Sequence, residues 1–256
     1  MFGQIGQGGL RFELLGFPVR IDPSFWIISV LMGLSYHSLG VEYVAMWVGV
    51  VFVSILAHEL GHAMMGRQFG LHSKIELYSM GGLTHLSGGR SLRHWQDIAV
   101  SLAGPGTGLL IGGIIWAALW THGEPTSMHA GVALRMLLWV SVVWALANLL
   151  PIEPWDGGHV MASAVHWIRR YEDPALPHMI SAIFGLAAAL LAWKLDFIWG
   201  ALLAGLSAAK NIMQLREYGP VHPKDMQVAL GVLLFVAAGV FALLRYLGLL
   251  EGGLLG

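Results

Sequence analysis

The chain has 256 residues, 56% of them hydrophobic and only 11% charged, with a formal net charge of −1. Ordinary soluble domains carry about 25% charged residues, so this composition reads as an integral membrane protein, and its few scattered Lys and Arg exclude a nucleic-acid surface. Cysteine is absent, which removes disulfides and thiolate metal sites and leaves His and carboxylate as the side chains able to hold a metal.

The N-terminus lacks a basic region followed by an apolar one, so no cleavable signal peptide is expected. From Leu10 to Asp22 the residues alternate around Gly16-Phe17-Pro18, which predicts a short β-hairpin at the membrane surface within an N-terminal interfacial segment, 1–22. Apolar windows follow at 24–39, 43–65, 98–121, 130–152, 178–193, 195–213 and 227–247. A spanning helix needs about 20 residues, so the expected fold is an all-α polytopic membrane protein of six or seven transmembrane helices. The main body is expected over 23–215 and an additional spanning helix over 216–256. Between the second and third windows, Ile75 to Leu86 is rich in Tyr, Leu and Thr around Gly81-Gly82. That pattern predicts a small membrane-associated β-hairpin, whose backbone must be paired because lipid satisfies no hydrogen bonds. Trp is abundant, with 11 residues, several near expected membrane boundaries where amphipathic rings are favoured.

Basic residues orient these spans. Arg11 and Arg20, then Arg67, Lys74, Arg90 and Arg93, then Arg169 and Arg170, then Arg216 and Lys224 fall on one side of a seven-span arrangement, while 121–129 has none. The positive-inside rule makes that side cytoplasmic.

Two stretches carry chemistry. His58-Glu59-Leu60-Gly61-His62 follows a charge-free apolar run, Val48 to Leu56. On a helix the two imidazoles share one face and can grip one zinc ion, with Glu59 placed to act on water there. The bland alternative is a pair of hydrogen-bonded histidines beside a helix-end carboxylate. A central ionisable residue in a spanning helix costs about 2.5–3.5 kcal/mol on insertion scales, and a nearby cation gives Glu59 a reason to be there. Catalytic zinc usually takes three protein ligands plus water. The third candidate is Asp156, in Asn148-Leu149-Leu150-Pro151-Ile152-Glu153-Pro154-Trp155-Asp156-Gly157-Gly158, where two prolines break the fourth span. On spacing alone Asp156 is equally a ligand or a plain helix N-cap.

With these residues in order, the chain resembles the site-2 protease family of intramembrane zinc metalloproteases, in a compact form without PDZ or CBS domains. The match is to His58-Glu59-Leu60-Gly61-His62 and to Asn148-x-x-Pro151-x-x-Pro154-x-Asp156-Gly157-Gly158, with Trp155 where the family usually has Leu. Met80-Gly81-Gly82 and Ala103-Gly104-Pro105 are similar to weaker family patterns, and the resemblance covers roughly residues 10 to 165. It implies one zinc per chain held by His58, His62 and Asp156. It further implies Glu59 as general base and Asn148 as a contact to substrate backbone or to the tetrahedral intermediate. The expected activity is hydrolysis of peptide bonds in or near transmembrane segments of membrane-protein substrates, with the lipid bilayer as surroundings.

Two rivals share the same residues. A metal transporter would want several linked sites, yet no ladder of acidic residues runs along these helices. A catalytically silent scaffold would have no need of Glu59. His85 and His159 are close enough to the motifs to support the ligands. His72, His94, His122, His129, His166, His178 and His222 are expected to be solvated or interfacial. Gly104, Gly108 and Gly112 form a small-residue ridge for close helix packing.

Overall fold

A computed structural model describes residues 8–88, 91–169, 175–218 and 231 of the chain. Its described residues fall into two compact units, one within 1–150 and 155–164 and the other within 151–154 and 165–256.

In the first unit, β1 (Leu10–Leu14) and β2 (Phe17–Ile21) form the expected N-terminal hairpin. Leu15 and Gly16 both have positive φ, 54° and 81°, as a tight two-residue hairpin turn requires. Phe17 and Pro18, expected in the turn, therefore belong to β2. Alternation there buries Phe17, Val19 and Ile21. Pro18 has no N–H to give, and it precedes the β2–β3 ladder, which begins at Val19 opposite Ile75. Asp22 then caps α1 (Pro23–Gly33), accepting the Ser24 amide at 2.9 Å. Ser24's hydroxyl and amide hold the Asp22 carboxyl below its ordinary range.

A 3-10 turn (Leu34–Leu39) leads into α2 (Val41–Gln68), which ends before β3 (His72–Tyr78) and β4 (Gly81–Ser87). Ser79 and Met80 make the turn of this second hairpin, and the Gly81-Gly82 pair expected there opens β4 instead. The Trp144 ring stands where a Cβ on Gly81 would fall, 2.7 Å away. The two hairpins merge into one four-stranded sheet ordered β1-β2-β3-β4, with β2 and β3 parallel. The strand faces carrying Phe17, Val19, Ile21, Ile75 and Leu77 join Phe25, Trp47, Val51 and Ile55 in the core.

Helix α3 (His94–His122) and α4 (Met128–Asn148) complete the scaffold of this unit, and α5 begins at Asp156 and runs to Arg169. Close helix approach depends on small residues. A Cβ on Gly61 would lie 2.5 Å from the Ala103 carbonyl, and one on Gly108 would lie 2.9 Å from the Ser141 carbonyl. The glycine ridge of α3 is thus used in packing, as expected.

In the second unit, α6 (Ala175–Lys194) and α7 (Ile198–Tyr218) pack as a helical hairpin. A buried polar cluster ties the segment 151–154 to both. Asn211 Nδ2 donates to the Glu153 carbonyl at 2.6 Å and to the Ser207 carbonyl at 2.8 Å, and the Glu153 amide donates to Ser181 Oγ at 3.0 Å. His178 Nδ1 lies 2.8 Å from Asn211 Oδ1 and 3.2 Å from Glu153 Oε2. Between Pro151 and Pro154, the Glu153 amide and carbonyl both find partners in protein. His178, expected in water or at the interface, is buried instead, because α6 starts three residues before it and turns it toward Asn211.

Among the described residues four helices are long and apolar enough to cross a membrane: α2, α3, α4 and α6, of 28, 29, 21 and 20 residues. The 24–39 window yields α1 of only 11 residues, too short to span alone. The 195–213 window yields α7, whose length of 21 residues suffices but whose polar side chains keep it out of that set. The window 227–247 lies, apart from residue 231, outside the described residues.

Candidate active site

Helix α2 delivers His58, Glu59 and His62 from its buried side; they are 3%, 4% and 7% exposed. One helical turn separates the two imidazoles, whose rings meet edge-on with centroids 4.9 Å apart. Asp156, the first residue of α5, brings its carboxylate to them. Its Oδ2 is 3.0 Å from His58 Nε2 and its Oδ1 is 3.2 Å from His62 Nε2, while the two Nε2 atoms are 3.2 Å apart. The N-cap reading of Asp156 gives way here: the turn that opens α5 is closed by the His159 amide donating to the Trp155 carbonyl.

These three side chains fit a metal ion. A tetrahedral zinc at about 2.0–2.1 Å from each ligand would separate the ligands by about 3.3 Å, close to the spacings found. The chemistry of the donor set agrees. His62 Nδ1 is 2.7 Å from the Val100 carbonyl, and a carbonyl only accepts, so the hydrogen sits on Nδ1 and the neutral ring's lone pair points from Nε2 into the group. This is the outer-shell bond expected of a metal-binding histidine. His58 Nδ1 is buried and finds no partner among the described residues. Helix α3 leaves the space: a Cβ on Gly104 would overlap Nε2 of both histidines. Gly157 serves Asp156 in the same way, since a Cβ there would strike the carbonyls of Leu149 and Leu150.

Glu59 points to the sheet. Thr84 Oγ1 of β4 donates to Glu59 Oε2 at 2.7 Å and lies 3.1 Å from the Glu59 carbonyl. Gly82 of the same strand packs on the Glu59 side chain so closely that a Cβ would overlap it. Asp97 of α3 accepts a hydrogen bond from Ser163 of α5, the helix that carries Asp156.

Of the remaining sequence candidates, Asn148 ends α4 with Nδ2 donating to the Trp144 carbonyl at 2.9 Å. His85 is exposed and pairs with Glu76 at 3.3 Å, and His159 is exposed on α5. Val100, Gly104, Thr84 and Asp97 were not read as site residues from sequence. Gly104 had a signal, in Ala103-Gly104-Pro105 and the glycine ridge, while Val100 acts through its backbone and Thr84 has no local pattern around it.

Comparison with known proteins points the same way. The family described as Peptidase family M50 matches residues 123–192, which include Asn148 and Asp156. A Synechocystis sp. protein provisionally named a zinc metalloprotease is 32% identical over 231 residues, covering 84% of this chain and 57% of the relative. Rip3 of Mycobacterium tuberculosis, also provisionally named a zinc metalloprotease, is 30% identical over 222 residues, covering 76% of this chain and 53% of the relative. The chain thus spans little more than half the length of these curated relatives. The solved site-2 protease from Methanocaldococcus jannaschii shares the fold, with a TM-score of 0.58 at 21% identity over 80% of this chain and 95% of that one. In its motifs and its relatives the chain is similar to the site-2 proteases of peptidase family M50, and it shares the fold of a solved one.

Proposed function

We propose that this chain is a membrane-embedded zinc endopeptidase that hydrolyses peptide bonds in or near transmembrane segments of substrate proteins, the chemistry of regulated intramembrane proteolysis. The observation that carries the reading is the convergence of His58, His62 and Asp156 ligand atoms within 4.8 Å of one another, beside the buried carboxylate of Glu59. Zinc bound there would supply a water whose pKa falls from about 15.7 toward about 7, and a Lewis acid for the carbonyl.

The chain's residues supply the rest. His58, His62 and Asp156 would hold the ion, and the Val100 carbonyl keeps His62 in the tautomer that can do so. Glu59 takes the proton of the attacking water and hands it to the departing amine. Asn148 has a second amide hydrogen beyond the one given to Trp144, which can meet the substrate backbone or the developing oxyanion. A helical substrate must unwind before its carbonyls can be attacked. β4 is an edge strand of the sheet among the described residues, a place where an extended segment can be received by strand addition. The distribution of Arg and Lys supports a site opening toward the cytoplasm. Cysteines at Ser79 and Ser87 should then label with an impermeant reagent from the cytoplasmic side alone; the opposite pattern reverses the orientation.

Glu59→Gln tests the reading against its rivals. A protease should lose cleavage of membrane proteins, seen by comparing membrane-protein fragments in cells with wild-type and variant chain, while purified protein keeps one zinc. Unchanged fragments would favour a transporter or a scaffold, neither of which needs the carboxylate.

A further inference from the structure

We infer that Thr84 is the positioning residue for Glu59, an inference that rests on the protease reading above. Its hydroxyl is the hydrogen-bond donor the structure gives the Glu59 carboxylate, at 2.7 Å from Oε2, and it comes from β4, 25 residues away in sequence. Strand alternation puts Gly82 and Thr84 on one face of β4, and both meet Glu59. Gly82 lies against Cγ and Oε1, Thr84 holds Oε2. The carboxylate is therefore caught between a hydroxyl and a surface with no side chain.

The catch has a mechanical purpose. A Glu side chain turns about three torsions and gives up that rotamer freedom when fixed. A base must stay aligned with the proton it removes, and a displacement of about 1 Å can cost about 100-fold in rate. With Oε2 anchored, Oε1 is the oxygen left for the proton in transit. Both hydrogen-bond contacts the structure gives the Thr84 hydroxyl are to Glu59, at its carboxylate and its main-chain carbonyl, so its influence passes through Glu59. β4 is also one of the two edge strands of the sheet among the described residues. The strand that can pair with an extended substrate thus fixes the base as well, which ties the alignment of peptide and carboxylate to one element.

The experiment uses full-length protein in detergent micelles and a pool of quenched-fluorescent apolar peptides, the one best cut by wild type serving for kinetics. Thr84→Val keeps the shape and removes the hydroxyl; Thr84→Ser keeps the hydroxyl. For Thr84→Val, kcat should fall about 10- to 100-fold with KM changed less than about twofold. Zinc content should match wild type and thermal melting should fall only slightly, as loss of one hydrogen bond implies, and Thr84→Ser should recover most of kcat. The inference is overturned if Thr84→Val keeps kcat within about twofold of wild type, or if KM carries the change. It is also overturned if Thr84→Val and Thr84→Ala lose zinc or fold, which would make the residue structural, or if Thr84→Ser fails to recover kcat. Glu59→Gln in the same assay separates the two levels. If Glu59→Gln still cleaves, the protease reading falls; if it is inactive while Thr84→Val is fully active, only the role of Thr84 falls.

Discussion

Helix α2 and the stretch from Asn148 to Gly158 each bring ligands to the same group, by opposite means. On α2 the work is done by helix geometry alone: His58 and His62 stand one turn apart, and any regular helix would aim both rings the same way. The second stretch has no regular geometry to draw on. Pro151 and Pro154 forbid a helix, Gly157 must lack a side chain, and the Glu153 backbone is held by Asn211 and Ser181. A regular element specifies a site through its own sequence, whereas an irregular one borrows its shape from neighbours.

The largest effect should come from removing ligands, and it should differ between the two regions. His62→Ala takes away a buried ring that also bonds the Val100 carbonyl. It should abolish zinc binding, a loss beyond the 10- to 100-fold expected of an outer-shell change. Asp156→Ala should weaken zinc by a comparable factor with little loss of folded protein, because α5 is closed at its start by the Trp155 carbonyl and not by Asp156. Metal analysis and competition with a chromogenic chelator measure both. Full zinc and full activity in Asp156→Ala would mean that the irregular stretch supplies no ligand.

How much was legible follows the same divide. The α2 half could be read from five residues, since spacing on a helix is spacing in space. Asp156 could be named but not assigned, because ligand and cap look alike until the partner atoms are known. The small sheet was foreseen as two hairpins, yet their union through parallel β2 and β3 was not, since no local pattern reveals a pairing across α1 and α2. Thr84 and Val100 were invisible for that reason: one arrives on a strand from elsewhere, the other offers a main-chain oxygen that any residue carries. His178 was misplaced because a histidine beside an expected loop resembles a surface residue, and only Asn211 and Glu153 show why it is inside.

A smaller effect sharpens the role of α3, which serves both regions. Gly104→Ala should lower zinc affinity by about 10- to 100-fold, since its Cβ would overlap both imidazoles. Gly106, two residues along the same helix, has nothing within 4 Å of the same position. Gly106→Ala should leave zinc unchanged and stabilise the helix by about 0.5–1 kcal/mol. Equal zinc affinities in the two variants would show that α3 does not shape the metal group.

The smallest effect concerns how α5 keeps Asp156 in place. Ser163 lies about two turns beyond Asp156 on α5, and its hydroxyl donates to Asp97 of α3. Hydrogen bonds to charged groups are worth about 1.5–3 kcal/mol, and this one fixes the helix that carries the ligand without touching the ligand. Ser163→Ala should therefore raise the zinc dissociation constant by a modest factor, below about 10-fold, and lower the melting temperature slightly. Asp97→Asn retains an oxygen that can accept the same bond and should behave nearly as wild type, while Asp97→Ala should match Ser163→Ala. Because one bond is removed either way, the double variant Asp97→Ala with Ser163→Ala should be no worse than either single change. Additive losses in chelator competition would mean that the two side chains act separately, and that α5 is held by something other than this bond.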